Sequence, residues 1–150
     1  MNTNNKIKRK YDIIVYGATG FTGYLVAEYL LKQYGINNSI NWAIAGRNEE
    51  KLKLVREQLK IGNNKLDIII ADSFDIDSLH TMASNTNVVL TTVGPYALYG
   101  DFLVTACVES GTHYCDLAGE VQWIQRIIDA HQEKAQETGA KIVHCCGFDS

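Results

Sequence analysis

The sequence is short of several things, and each shortage closes off a class of protein. Its 150 residues include one proline, Pro95, so no proline-rich linker or low-complexity stretch divides it. No apolar run approaches the roughly 18–20 residues that cross a bilayer. The Asn-rich leader Met1–Lys10 lacks the apolar core of a secretory signal. There is no basic surplus: 14 Lys and Arg stand against 17 Asp and Glu, for a net charge of −3. Nucleic acid and anionic membrane are therefore poor candidates as main partners. The four cysteines, Cys107, Cys115, Cys145 and Cys146, form no C-x-x-C motif, and the adjacent pair sits in an apolar, strand-like run. They are expected to be buried free thiols in a reducing cytoplasm rather than a disulfide framework or a metal site. His80, His113, His131 and His144 show no metal-ligand spacing either.

What remains is ordinary globular composition, 46% hydrophobic and 21% charged, long enough for one domain with its own core. Residues 1–10, carrying Lys6, Lys8, Arg9 and Lys10, read as a disordered, solvated basic tail. Residues 11–150 read as the folded domain.

The most informative segment is Gly17-Ala18-Thr19-Gly20-Phe21-Thr22-Gly23. It follows the apolar run Tyr11–Tyr16 and opens a helical pattern at Leu25, Val26, Tyr29 and Leu30. Strand, glycine-rich turn and helix is the context in which such a loop carries a pyrophosphate. Gly17 suits the tight turn, Gly20 lets the backbone approach phosphates, and Gly23 lets the helix lie close to the strand. The helix start then offers free N–H groups and the positive end of its dipole to an anion. The spacing is G-x-x-G-x-x-G, a variant of the usual dinucleotide pattern, and a purely structural turn is the competing reading.

Periodicity and punctuation predict strands over 12–16, 41–45, 67–71, 88–93, 113–117 and 141–145. Helices are predicted over 21–33, from 48 or 49 to about 61, and over 76–84, 101–110 and 121–138. The strands are β-branched and apolar without alternation, as a parallel sheet covered on both faces requires. An α/β, doubly wound parallel sheet follows, a dinucleotide-binding domain with strand order 3-2-1-4-5-6.

In that fold the end of strand two faces the adenosine ribose, where an acidic residue selects NAD and an Arg accommodates a 2′-phosphate. Here the strand runs into Gly46-Arg47-Asn48, with no carboxylate before Glu49. Arg47, a planar and permanently charged fork, predicts NADP(H) over NAD(H). Asp72 and Ser73, ending strand three, either bond the adenine or cap the next turn. Val93-Gly94-Pro95-Tyr96 ends strand four, where the nicotinamide end of the cofactor passes, and Tyr96 and Tyr99 are candidates for its wall or for substrate. Asp116 and Glu120 follow strand five on the same sheet edge and are candidates for substrate contact. A helix-start role for Glu120 is equally open.

Several segments together carry a resemblance: 17–23, Ala45-Gly46-Arg47, Thr92–Gly100, His113–Glu120 and Cys146-Gly147-Phe148-Asp149-Ser150. Taken together, the chain after Lys10 resembles the saccharopine dehydrogenase-like oxidoreductases, including their trans-acting enoyl reductase branch. The resemblance implies an NAD(P)-dependent two-domain protein, with a Rossmann domain followed by an α/β domain that shapes the substrate site and often the dimer. It also implies that these 150 residues are the cofactor-binding part of a longer chain, inactive alone, serving hydride transfer to or from an imine, amine or enoyl small molecule. No catalytic residue is assigned; the proton donor is expected from the second domain.

Two alternatives stay open. A short-chain dehydrogenase/reductase would share the glycine spacing and the Arg after strand two. It needs a Tyr-x-x-x-Lys pair, and no tyrosine here has Lys four residues on. The other is a non-catalytic NADP-binding sensor or scaffold.

Overall fold

A computed structural model describes residues 8–62 and 65–147. Six strands form one parallel sheet: β1 (Tyr11–Tyr16), β2 (Trp42–Gly46), β3 (Asp67–Ile70), β4 (Thr86–Thr91), β5 (His113–Cys115) and β6 (Ile142–Val143). Their order is β3-β2-β1-β4-β5-β6, as the alternation of apolar runs and helical periods requires.

The central strand shows why both faces are covered. Successive side chains of a strand point to opposite faces. Ile14 and Tyr16 enter one core, with Leu79 and Met82 of α3 (Ile76–Ser84), Leu103 and Val104 of α5 (Asp101–Ser110) and Trp123 of α6 (Val121–Thr138). Val15 enters the other, with Ala27 and Leu30 of α1 (Phe21–Tyr34) and Leu52 and Val55 of α2 (Glu49–Gln58). β2 follows suit: Ala43 and Ala45 face the first core, Trp42 and Ile44 the second. Parallel registers such as Val15↔Ile44 and Val15↔Leu90 hold β1 between β2 and β4.

Four details depart from expectation. β4 starts at Thr86 and stops at Thr91, two residues earlier at each end than predicted. The released segment passes a cis Gly94–Pro95 bond and forms a single helical turn, α4 (Tyr96–Tyr99), that periodicity did not announce. β5 and β6 are shorter than predicted, and Cys145 turns out of the strand line with φ +62°. Cys145 and Cys146 are consequently exposed, which corrects the expectation of four buried thiols; Cys107 is buried and Cys115 half-buried.

The tail expectation also needs correction over its described part, while Met1–Ile7 lies outside the described residues. Arg9 donates from Nη1 to the carbonyls of Ala83 and Thr86 at 3.2 and 2.7 Å and to Thr112 Oγ1, and from Nη2 to the Ser110 carbonyl at 2.5 Å. It thus ties the ends of α3 and α5 together, where a cation also meets the negative ends of two helix dipoles. Lys10 pairs with Asp67 at 3.5 Å.

Candidate nucleotide cleft

The chain leaves β1 in one direction and returns through β4 in the other, so a crevice opens beyond the carboxyl ends of these strands. In open parallel sheets that switch point is where ligands bind.

The β1–α1 turn builds its floor. Gly17 has φ +97°, a conformation that side chains disfavour, and an added Cβ would lie 2.7 Å from Val93 Cγ2. Its N–H donates to the Ala45 carbonyl at 2.9 Å and its carbonyl accepts from Gly20 N at 3.1 Å. At Gly23 a Cβ would fall 2.0 Å from the Gly17 carbonyl oxygen, so only glycine lets α1 approach the turn this closely. Gly20 differs: a Cβ there meets nothing nearer than 3.5 Å. The fold itself does not demand glycine at position 20. Gly20 is the N-cap of α1, no side chain caps that helix, and its first turn carries no acidic residue. The first-turn N–H groups of a helix have no intrahelical partners.

The other walls come from the strands beside β1. Gly46 ends β2 and Arg47 follows it, Asp72, Ser73 and Phe74 follow β3, and Thr92, Val93 and Gly94 follow β4. With Tyr16, Gly17, Thr19, Gly20 and Tyr99 they line one cleft of about 320 Å³. The Arg47 side chain is exposed and makes no hydrogen bond or ion pair among the described residues. Tyr16 meets Ser73 Oγ at 2.7 Å, and burial pushes its phenol up, so it is a neutral wall. Asp72 Oδ1 accepts from Phe74 N at 2.8 Å, which fixes the turn that carries Phe74.

Of the residues named from sequence, Gly17, Thr19, Gly20, Gly46, Arg47, Asp72, Ser73, Val93, Gly94 and Tyr99 meet at this cleft. Ala18 is buried beneath it. Phe21 and Thr22 sit on the exposed first turn of α1. Asn48 caps α2, accepting from Lys51 N at 3.0 Å, and Pro95 is the N-cap of α4. Tyr16, Phe74 and Thr92 were missed. Strand-end position pointed to Tyr16 and Thr92, and adjacency to Ser73 pointed to Phe74.

Three candidates are corrected. Tyr96 is no cofactor wall: its ring is buried, and its hydroxyl donates to the Thr91 carbonyl and accepts from Leu117 N, both at 3.2 Å. Burial pushes its pKa up to about 12. Asp116 is 1% exposed, and protein donors occupy its carboxylate: Tyr114 Oη at 2.6 Å, Ala118 N at 2.9 Å and Cys145 N at 3.1 Å, with His144 Nδ1 at 2.7 Å. Glu120 stands at the start of α6, yet its carboxylate accepts from Tyr96 N at 2.7 Å and Ala97 N at 3.3 Å, fastening α4 instead. Asp116 is thus enclosed by protein partners, and Glu120 is half-buried with its carboxylate engaged by α4.

A second groove, of about 530 Å³, runs between α6 and β6; Ile127, Ile128, Ala135 and Ile142 give it an apolar floor, and Gln132, Gln136 and Lys141 also line it. Among the described residues no three His, Cys, Asp or Glu side chains converge on a metal position. Nor is any described helix long and apolar enough to cross a membrane.

Known proteins resemble this chain in sequence and in fold. The trans-acting enoyl reductase of Mycobacterium leprae is 46% identical over 143 residues, which are 95% of this chain and 34% of that protein. The protein of that name from Mycobacterium tuberculosis is 45% identical over 145 residues, again 95% of this chain and 34% of the relative. The chain therefore spans about a third of these relatives. Among solved structures, apo saccharopine dehydrogenase (L-Glu forming) from Saccharomyces cerevisiae superposes with TM-score 0.73 at 16% identity, covering 93% of this chain and 28% of that one, a likeness of fold. Residues 13–143 match the family described as "Saccharopine dehydrogenase NADP binding domain", and the chain belongs to that family.

Proposed function

We propose that the cleft holds NADP(H) for hydride transfer in an oxidoreductase, and that these residues are its cofactor-binding domain. The observation that carries the reading is Gly20: space beside uncapped α1 amides that the fold does not itself require. Phosphate oxygens suit that space, because the first amides of a helix lack intrahelical partners and the helix dipole favours negative charge. Arg47, unpaired on the neighbouring strand end, fits a 2′-phosphate through two parallel charge-assisted hydrogen bonds.

The nicotinamide supplies the hydride. Within this chain, Gly17–Gly23 anchors the pyrophosphate, Arg47 selects the phosphorylated ribose, and Val93–Gly94 positions the nicotinamide ribose. The Glu120 carboxylate contributes indirectly, by holding α4 and the segment before it. The names of the relatives favour an enoyl substrate, with an imine or amine as the counterpart suggested by saccharopine dehydrogenase. The remaining length of such proteins supplies the substrate site and the dimer contact in this reading.

Calorimetric titration of the chain with NADPH and NADH, beside an Arg47→Ala variant, tests the cofactor choice. A charged hydrogen-bond pair contributes about 1.5–3 kcal/mol, so NADPH should bind roughly ten- to a hundredfold tighter, and the variant should lose that margin. Equal affinities in the unaltered chain would overturn the choice. NADPH consumption by the full-length protein with enoyl and imine candidates tests the reaction.

A further inference from the structure

Phe74 borders the cleft with 60% of its surface in solvent. Two bonds fix the turn that presents it: Phe74 N to Asp72 Oδ1 at 2.8 Å and Asp75 N to the Asp72 carbonyl at 3.0 Å. Across from it stands Tyr99 on α4, whose own position depends on the Glu120 carboxylate. The two rings lie 5.5 Å apart, centroid to centroid, tilted by 53°. That is a favourable aromatic contact, and it is too close for a third ring to enter between them. One ring thus braces the other.

Resting on the NADP(H) reading, we infer that Phe74, braced by Tyr99, is the platform on which the adenine ring of the cofactor stacks. Position assigns the base rather than the nicotinamide. Phe74 follows β3, which pairs with β2, and β2 runs into Arg47, the residue this reading assigns to the adenosine phosphate. Val93 and Gly94, which serve the nicotinamide end, follow β4 on the far side of β1. A purine laid on Phe74 desolvates a ring face that the folded chain leaves wet, and stacking of this kind is insensitive to the phosphate on the ribose.

Three probes separate this inference from the reading beneath it: NADPH, NADH and reduced nicotinamide mononucleotide, which has no adenine. Phe74→Ala should weaken NADPH and NADH by the same factor, about tenfold, and leave the mononucleotide unchanged. Phe74→Leu, which keeps apolar bulk but not a flat face, should behave like the alanine variant, and Phe74→Tyr should restore binding. Tyr99→Ala should lose part of the same factor, and little more when combined with Phe74→Ala. If the unaltered chain binds both dinucleotides but Phe74→Ala or Phe74→Leu binds them equally well, the platform is wrong and the cofactor reading stands. If the unaltered chain binds no dinucleotide, both fall. Equal weakening of the mononucleotide would overturn the assignment to adenine.

Discussion

Asp116 and His144, 28 residues apart in the chain, meet at 2.7 Å with their side chains 0% and 8% exposed. An ionised carboxylate accepts only, so Nδ1 carries the proton of this bond, and Nε2 is buried without a partner. Burial pushes Asp116 up, but the bonds from His144, Tyr114 and Ala118 N and the His144 charge outweigh it and hold the carboxyl below its ordinary 3.8. A depressed carboxyl stabilises the fold above its unfolded value and loses that contribution as pH falls through the folded value. Denaturant midpoints measured from pH 7 to pH 3 should therefore fall faster for the parent than for Asp116→Asn, with the difference arising below about pH 4. Parallel curves would contradict this.

The glycines of the β1–α1 turn should separate fold from ligand. Gly23→Ala forces a methyl 2.0 Å from a carbonyl oxygen and should cost about 3 kcal/mol of stability or prevent folding. Gly20→Ala meets only an ordinary contact and should cost under about 1 kcal/mol, yet lower NADPH affinity at least tenfold by filling the phosphate space. Chemical denaturation and calorimetry on the same preparations check both halves.

Arg9 should matter as much as a core residue. Its guanidinium serves acceptors on α3, β4 and α5 and beside β5. Arg9→Ala leaves those groups without their charged donor and should cost about 2 kcal/mol, with nucleotide affinity unchanged. A denaturant midpoint equal to the parent's would show that the tail is dispensable.

Thiol reactivity should split the cysteines in half. Cys145 and Cys146 are exposed, whereas burial pushes Cys115 up to about 11 and Cys107 further still. A disulfide reagent at pH 8 should titrate two thiols promptly and the other two only in denaturant.

Topology was legible because it rests on signals that survive tertiary context. Ile14/Val15 and Ala43/Ile44 split between opposite cores, and uninterrupted apolar strands demand that. The glycine turn was legible for the same reason, since Gly17 and Gly23 answer local backbone and contact demands. The partners of Asp116 and Glu120 were not legible, because sequence placed both on the sheet edge but could not reveal which donors they face. Those donors, His144 and the α4 amides, lie about 24–28 residues away. Phe74 was overlooked because its signal is exposure, which periodicity does not report. Arg9 was lost in a run of cations whose partners are distant carbonyls.

The most direct test of the account is amide mapping by NMR: ¹⁵N-labelled chain titrated with NADP⁺, following every backbone N–H. The account predicts the largest shifts at Gly17–Phe21, Arg47, Phe74 and Gly94, saturating together. Shifts confined to the α6–β6 groove around Ile128 and Ile142, or none at millimolar nucleotide, would contradict it.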